Sequence, residues 1–82
     1  MNQSDPFVLH EVRRIFREVF EEPDMPMELS TSRDHISEWD SVVQVKLVLA
    51  MEDAFQIEFS TDDVASIQTV GGFVEAVERR RA

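Results

Sequence analysis

The side chains able to do chemistry here are few: Ser41 behind Asp40, the histidines His10 and His35, the acid pairs Glu52-Asp53 and Asp62-Asp63, and the doublet Gly71-Gly72. A hydrolytic serine needs a histidine base against its hydroxyl and a carboxylate holding that histidine. His10 falls in a helical stretch and His35 in a long loop, and no Gly-x-Ser-x-Gly turn surrounds Ser41. Both histidines read as plain surface residues. The acid pairs lack the alternating ligands and central glycine of a calcium loop. With no cysteine there is no Cys-based zinc site either, so no metal is expected. Gly71-Gly72 has no third glycine, no lysine and no preceding strand to make a phosphate cradle. Ser41 remains, and taken alone an Asp-Ser pair at a helix start is only a capping group. Nothing in this set makes an enzyme.

Four elements must position it. Asp5-Pro6 is a helix start, because aspartate accepts from free first-turn amides and proline fits the first helical position. Val8, Val12, Ile15, Phe16 and Val19 then recur every three to four residues, giving a helix that ends near Phe20. From Glu21 to Asp40 the pattern breaks at Pro23 and Pro26 and at the turn formers Ser30, Thr31, Ser32 and Asp34. A loop of this length in a small domain has a job. Met25, Met27, Leu29, Ile36 and Trp39 predict that it is pinned to the core. Asp40-Ser41 opens a helix to about Phe55, with Leu47, Val48, Met51 and Phe55 toward the core and Glu52 and Asp53 away from it. At 1.5 Å per residue it is roughly 22 Å long. Ser60 and Asp63 resemble a capping box for a short helix over residues 62–67. Thr69 caps a last helix with the stripe Val70, Phe73, Val74 and Val77, and Arg79, Arg80 and Arg81 favour its C-terminal end through the helix dipole. Gly71 and Gly72 weaken its first turn by roughly 1 kcal/mol each relative to alanine. The predicted fold is all-α, a small four-helix bundle of three longer helices and one short third helix, with a long loop between the first and second.

The chain's 82 residues make one domain with one modest core. Its longest uninterrupted apolar run, Leu47 to Met51, is too short to cross a bilayer, and the first residues lack the basic region and apolar run of a signal peptide. Cytosol is the expected compartment. The formal charge of −9 excludes nucleic acid and anionic membrane as partners. That charge is concentrated: residues 21–63 hold twelve acids against Arg33 and Lys46, a net of −10, while the segments on either side are nearly neutral. Basic protein surfaces are the natural counterparts.

The run from Glu38 to Ser60 changes the reading of Ser41. Asp40-Ser41 is followed by an aliphatic residue, a Val45-Lys46-Leu47 segment, Ala50-Met51-Glu52-Asp53-Ala54-Phe55, and Ile57-Glu58-Phe59 before a short acidic helix. This resembles the acyl carrier protein family around its Asp-Ser-Leu attachment motif, without a gap. The first helix, the long loop, the acidic third helix and Thr69-Val70 extend the resemblance over residues 5–80, so residues 1–82 are expected to form a single carrier domain.

The resemblance implies that a phosphopantetheinyl transferase moves 4′-phosphopantetheine from coenzyme A onto Ser41, with Asp40 as its motif neighbour, and that the arm's thiol then carries acyl groups as thioesters. The protein itself would be no enzyme. It would be a monomer serving acyl-loading, condensing or tailoring enzymes through their basic patches, in fatty-acid- or polyketide-type biosynthesis. The implied partner surface comprises Glu38, Val42, Val43, Lys46, Leu49, Glu52, Asp53, Asp62 and Asp63. A core of aliphatic residues with soft Met51 also suggests that an acyl chain can slip between the helices. Fatty-acid carriers usually have acids two and five residues after the serine, where this chain has Val43 and Lys46. With Trp39 this points to a discrete carrier of a specialised pathway. The alternatives are an aminoacyl or peptidyl carrier, whose motif has Gly and His before the serine where Glu38-Trp39-Asp40 stand here, and a non-carrier acidic interaction module with Ser41 only a cap.

Overall fold

The computed structural model describes residues 6–22, 24–25 and 28–81. Four helices follow in order: α1 (Pro6–Phe20), α2 (Ser41–Phe55), α3 (Thr61–Ser66) and α4 (Val70–Arg81). The apolar stripes and caps set these bounds. Asp40 caps α2, its Oδ1 accepting from Val43 N–H at 2.9 Å. At α3 the capping box is complete in both directions, Asp63 N–H donating to Ser60 Oγ and Ser60 N–H to the Asp63 carboxylate. The short helix begins one residue earlier than expected. Thr69 caps the first turn of α4 by accepting from Gly72 N–H at 2.9 Å. The cap expected from Asp5 lies outside the described residues. None of the described helices is long and apolar enough to cross a membrane.

The core is an aromatic cluster walled by aliphatic side chains. Phe16 of α1 stands edge-on to Trp39 (ring centroids 5.1 Å apart) and to Phe73 of α4 (5.6 Å), and Trp39 stacks on Phe73 at 6.4 Å. Val8, Val12, Leu47, Met51, Val70, Val74 and Val77 close around them, all fully buried. Phe55, expected on the core stripe, is only half-buried and meets Phe7 edge-on at 6.4 Å.

The long loop is held differently from the sequence-based expectation. Ile36 and Trp39 are buried and Met25 half-buried, but Leu29 is 44% exposed, and Met27 lies outside the described residues. Backbone bonds do the pinning. Gly71 N–H donates to Leu29 O (2.9 Å), Val70 N–H to Thr31 O (2.9 Å) and Arg33 N–H to Gln68 O (3.0 Å), around an isolated antiparallel bridge between Ser32 and Thr69. A Cβ on Gly71 would sit 3.0 Å from Leu29 O, so the glycine that weakens the first turn of α4 is what admits the loop.

Candidate functional site

Ser41 is the first residue of α2 and is exposed, as are Glu38 and Asp40 before it. Between those exposed residues Trp39 is driven inward, to 3% exposure. Successive turns deliver the chain to this point, with Trp39 N–H donating to Ile36 O at 3.0 Å and Asp40 N–H to Glu38 O at 2.9 Å. The serine therefore stands on a turn rooted in the aromatic core. Since the Asp40 carboxylate is engaged as the helix cap, it is not placed as a base for the neighbouring hydroxyl. His35 is turned to its own loop, Nδ1 accepting from Ser32 N–H at 3.1 Å. What the site offers a phosphate is the open end of a fifteen-residue helix: first-turn amides without intrahelical partners and the positive end of the dipole.

One residue of this site escaped the sequence reading. Gln44, one turn after Ser41, is buried, and its Oε1 accepts from Trp39 Nε1–H at 2.8 Å. Its Nε2 donates to Val64 O at 3.1 Å and Ile67 O at 3.3 Å, the carbonyls at the C-terminal end of α3. The signal was there in the spacing: positions 44, 47, 48, 51 and 55 share one helical stripe, and a glutamine on it must find partners inside.

The residues expected to meet partners divide into two sets. Glu38, Lys46, Asp53 and Asp62 are exposed. Val42 (63% exposed), Val45 (53%) and Leu49 (59%) form an apolar stripe at i, i+3 and i+7, whereas Val43 is half-buried against the core. Val45, rather than Val43, is thus on the exposed face of α2. Glu52 is half-buried, and its carboxylate accepts from Phe59 N–H at 2.9 Å. Asp63 is not exposed like the others: it is buried, and its oxygens take Arg79 Nη2 at 3.1 Å and Arg80 Nη2 at 2.6 Å. Two of the arginines assigned to the end of the α4 dipole are therefore tied to α3. The third, Arg81, lies about 6 Å from the ring centroids of Phe7 and Phe55.

The Ser60 backbone N–H, then Arg80 and Arg79, hold the Asp63 carboxyl down from 3.8 to about 2. A depressed folded-state value stabilises the fold above the unfolded value and loses that contribution as pH falls through the folded one. The stability gap between the wild type and Asp63→Asn is therefore expected to be constant above about pH 5 and to shrink from pH 4 toward pH 2. Urea unfolding across that range measures it, and a gap unchanged at pH 2.5 would contradict the assignment.

Comparison with known proteins agrees with this geometry. Residues 10–77 match the family described as phosphopantetheine attachment site. Acyl carrier protein 3 of Ralstonia nicotianae is 32% identical over 75 residues, 92% of this chain and 86% of that protein. An acyl carrier protein of Phenylobacterium zucineum is 36% identical over 74 residues, 89% and 92% of the two chains. The solution structure of the holo acyl carrier protein from Geobacter metallireducens superposes with a TM-score of 0.81 at 26% identity, covering 89% of this chain and 84% of that one. The protein belongs to the acyl carrier protein family and is a carrier with a phosphopantetheine attachment site.

Proposed function

We propose that Ser41 is the residue that bears 4′-phosphopantetheine, and that the carrier serves a specialised biosynthetic pathway of polyketide or similarly dedicated type. The observation carrying the first part is the exposure of Ser41 at the start of α2, on a capped turn inside the matched segment. Once attached, the arm supplies a thiol that holds acyl groups as thioesters. The chain's own part is to present the hydroxyl, to fix the turn through Trp39 and Asp40, and to set the phosphodiester against the helix end. Deprotonating the hydroxyl falls to the transferase, because the carboxylate of the adjacent Asp40 is used as a cap. The chain is thus a carrier and not a catalyst, and cytosol is its compartment.

Intact mass after incubation with coenzyme A and a broad phosphopantetheinyl transferase tests this. The wild type is expected to gain one phosphopantetheine and Ser41→Ala none. No gain with several transferases, or a gain on Ser41→Ala, would overturn the assignment.

The specialised pathway is read from α2. Without the acids two and five residues after the serine, its exposed face carries Val42, Val45 and Leu49 with Lys46 among them. Partner enzymes meet this face with an apolar patch and an acid opposite Lys46, while Glu38, Asp53 and Asp62 steer from its ends toward basic residues. Lys46→Glu is expected to raise the KM of a cognate enzyme for the loaded carrier by about threefold to tenfold at low salt, converging with the wild type as salt rises. Unchanged kinetics with that enzyme would remove the argument.

A further inference from the structure

Ser41 is exposed at the start of α2, and farther along the same helix Leu47 and Met51 are fully buried; the first turn of α2 and the end of α3 form a seam beside them. Cargo on an arm at Ser41 that is to reach the apolar interior beside α2 has a route where the first turn of α2 meets the end of α3, at the Gln44 bonds to Val64 O and Ile67 O. The seam is closed by the Gln44 side chain, which bonds two carbonyls of the α3 segment while Trp39 fixes its other end. On the α3 side Ile67 is buried in the core and Val64 is half-buried against it, so apolar packing closes the seam beside the glutamine. At its other end α3 is fastened to α4 through Asp63, so the whole segment cannot simply swing aside.

We infer that Gln44 is a latch that sorts the carrier's cargo by length, holding short acyl groups outside the bundle. The inference rests on attachment at Ser41 and deepens that reading by naming the substrate class. Opening the seam breaks two hydrogen bonds and leaves the Gln44 amide facing hydrocarbon. One buried donor without a partner shifts the equilibrium against opening by about fivefold to 150-fold, and a lost bond by about twofold to twelvefold. Each methylene that enters returns about fourfold. At the middle of these ranges about four methylenes must therefore be buried before opening breaks even. Counting the carbons beside the thioester that remain outside, acyl chains shorter than about eight carbons gain nothing by entering. A leucine at position 44 removes the penalty.

The test uses full-length protein carrying butyryl-, hexanoyl-, octanoyl- and dodecanoyl-phosphopantetheine, each checked by intact mass, as wild type and as Gln44→Leu. Nuclear Overhauser contacts from the acyl methyl to Leu47 and Met51, and amide exchange at residues 64–68, are read for each. In the wild type the butyryl and hexanoyl forms are expected to give no contacts and exchange rates equal to the unacylated form. In Gln44→Leu the contacts are expected from hexanoyl onward, with exchange at 64–68 slowed about tenfold. Hexanoyl contacts to Met51 in the wild type, or the same onset in both proteins, would overturn the latch. If Gln44→Leu does not fold, Gln44→Met takes its place, and the wild-type series alone still decides against the latch when a short chain enters. Absence of the mass gain would overturn attachment at Ser41 and the latch with it, whereas a gain followed by early contacts overturns the latch alone.

Discussion

Phe73→Ala is expected to lower the melting temperature by roughly 15–30 °C. Phe73 is fully buried and is where the separate parts of the chain meet: Phe16 from α1 at 5.6 Å, Trp39 from the segment before α2 at 6.4 Å, and Phe59 from the segment after α2 at 6.2 Å. Truncating a buried phenylalanine costs about 3–5 kcal/mol in lost transfer and residual cavity. A domain of this size has roughly 4–12 kcal/mol in total. The loss is thus between a quarter and all of the stability. Thermal and urea unfolding followed by circular dichroism measure it, and a fall of less than about 5 °C would mean that the aromatic cluster is not where the fold is held. The adjacent substitution Val74→Ala removes a smaller side chain, leaves the stacked rings in place and is expected to cost less.

What could be read from the sequence was what is decided locally. The bounds of α1 and α2 follow from stripes and stop signals within a few residues, and the Ser60–Asp63 box spans one turn. The attachment motif is likewise contiguous. Interactions decided by tertiary structure could not be read. The clasp of residues 29–33 on 68–71 is made of backbone groups, which leave no side-chain pattern, and only Gly71 marks it after the fact. Asp63 was legible as a cap but not as the partner of Arg79 and Arg80, which lie sixteen and seventeen residues away. The choice of Val43 over Val45 for the exposed face has a physical cause as well. Helix α2 is apolar nearly all round, with Val42, Val43, Val45, Leu47, Val48, Leu49 and Met51 among its fifteen residues, so periodicity fixes its buried face only loosely. That ambiguity comes from the function proposed for it, a helix that packs on one side and docks on the other.

The Trp39–Gln44 pair gives the second large effect, and it lies directly beneath the serine. Trp39→Ala is expected to leave the chain mostly unfolded at 25 °C. The ring's contacts with Phe16 and Phe73 go, at about 3–5 kcal/mol, and the buried Gln44 Oε1 loses its donor, at about 1–3 kcal/mol more. Trp39→Phe separates the two contributions: it keeps an aromatic ring in the cluster but has no N–H, so it is expected to cost about 1–3 kcal/mol, and the carrier stays folded. A double-mutant cycle of Trp39→Phe with Gln44→Met then isolates the pair, with a coupling of about 0.5–3 kcal/mol expected by urea unfolding. Coupling near zero would mean that the indole is held by packing alone and that the glutamine owes its place only to the α3 carbonyls. Because Trp39 is the only tryptophan, wild-type emission reports on this one position, and it is expected to shift to the red when Gln44→Met lets water reach the indole. The exposed Asp40-Ser41 turn has little packing of its own. Its geometry is set by the buried residue just before it and the buried residue three positions after Ser41, so a change in this pair reaches the hydroxyl without any change at the surface.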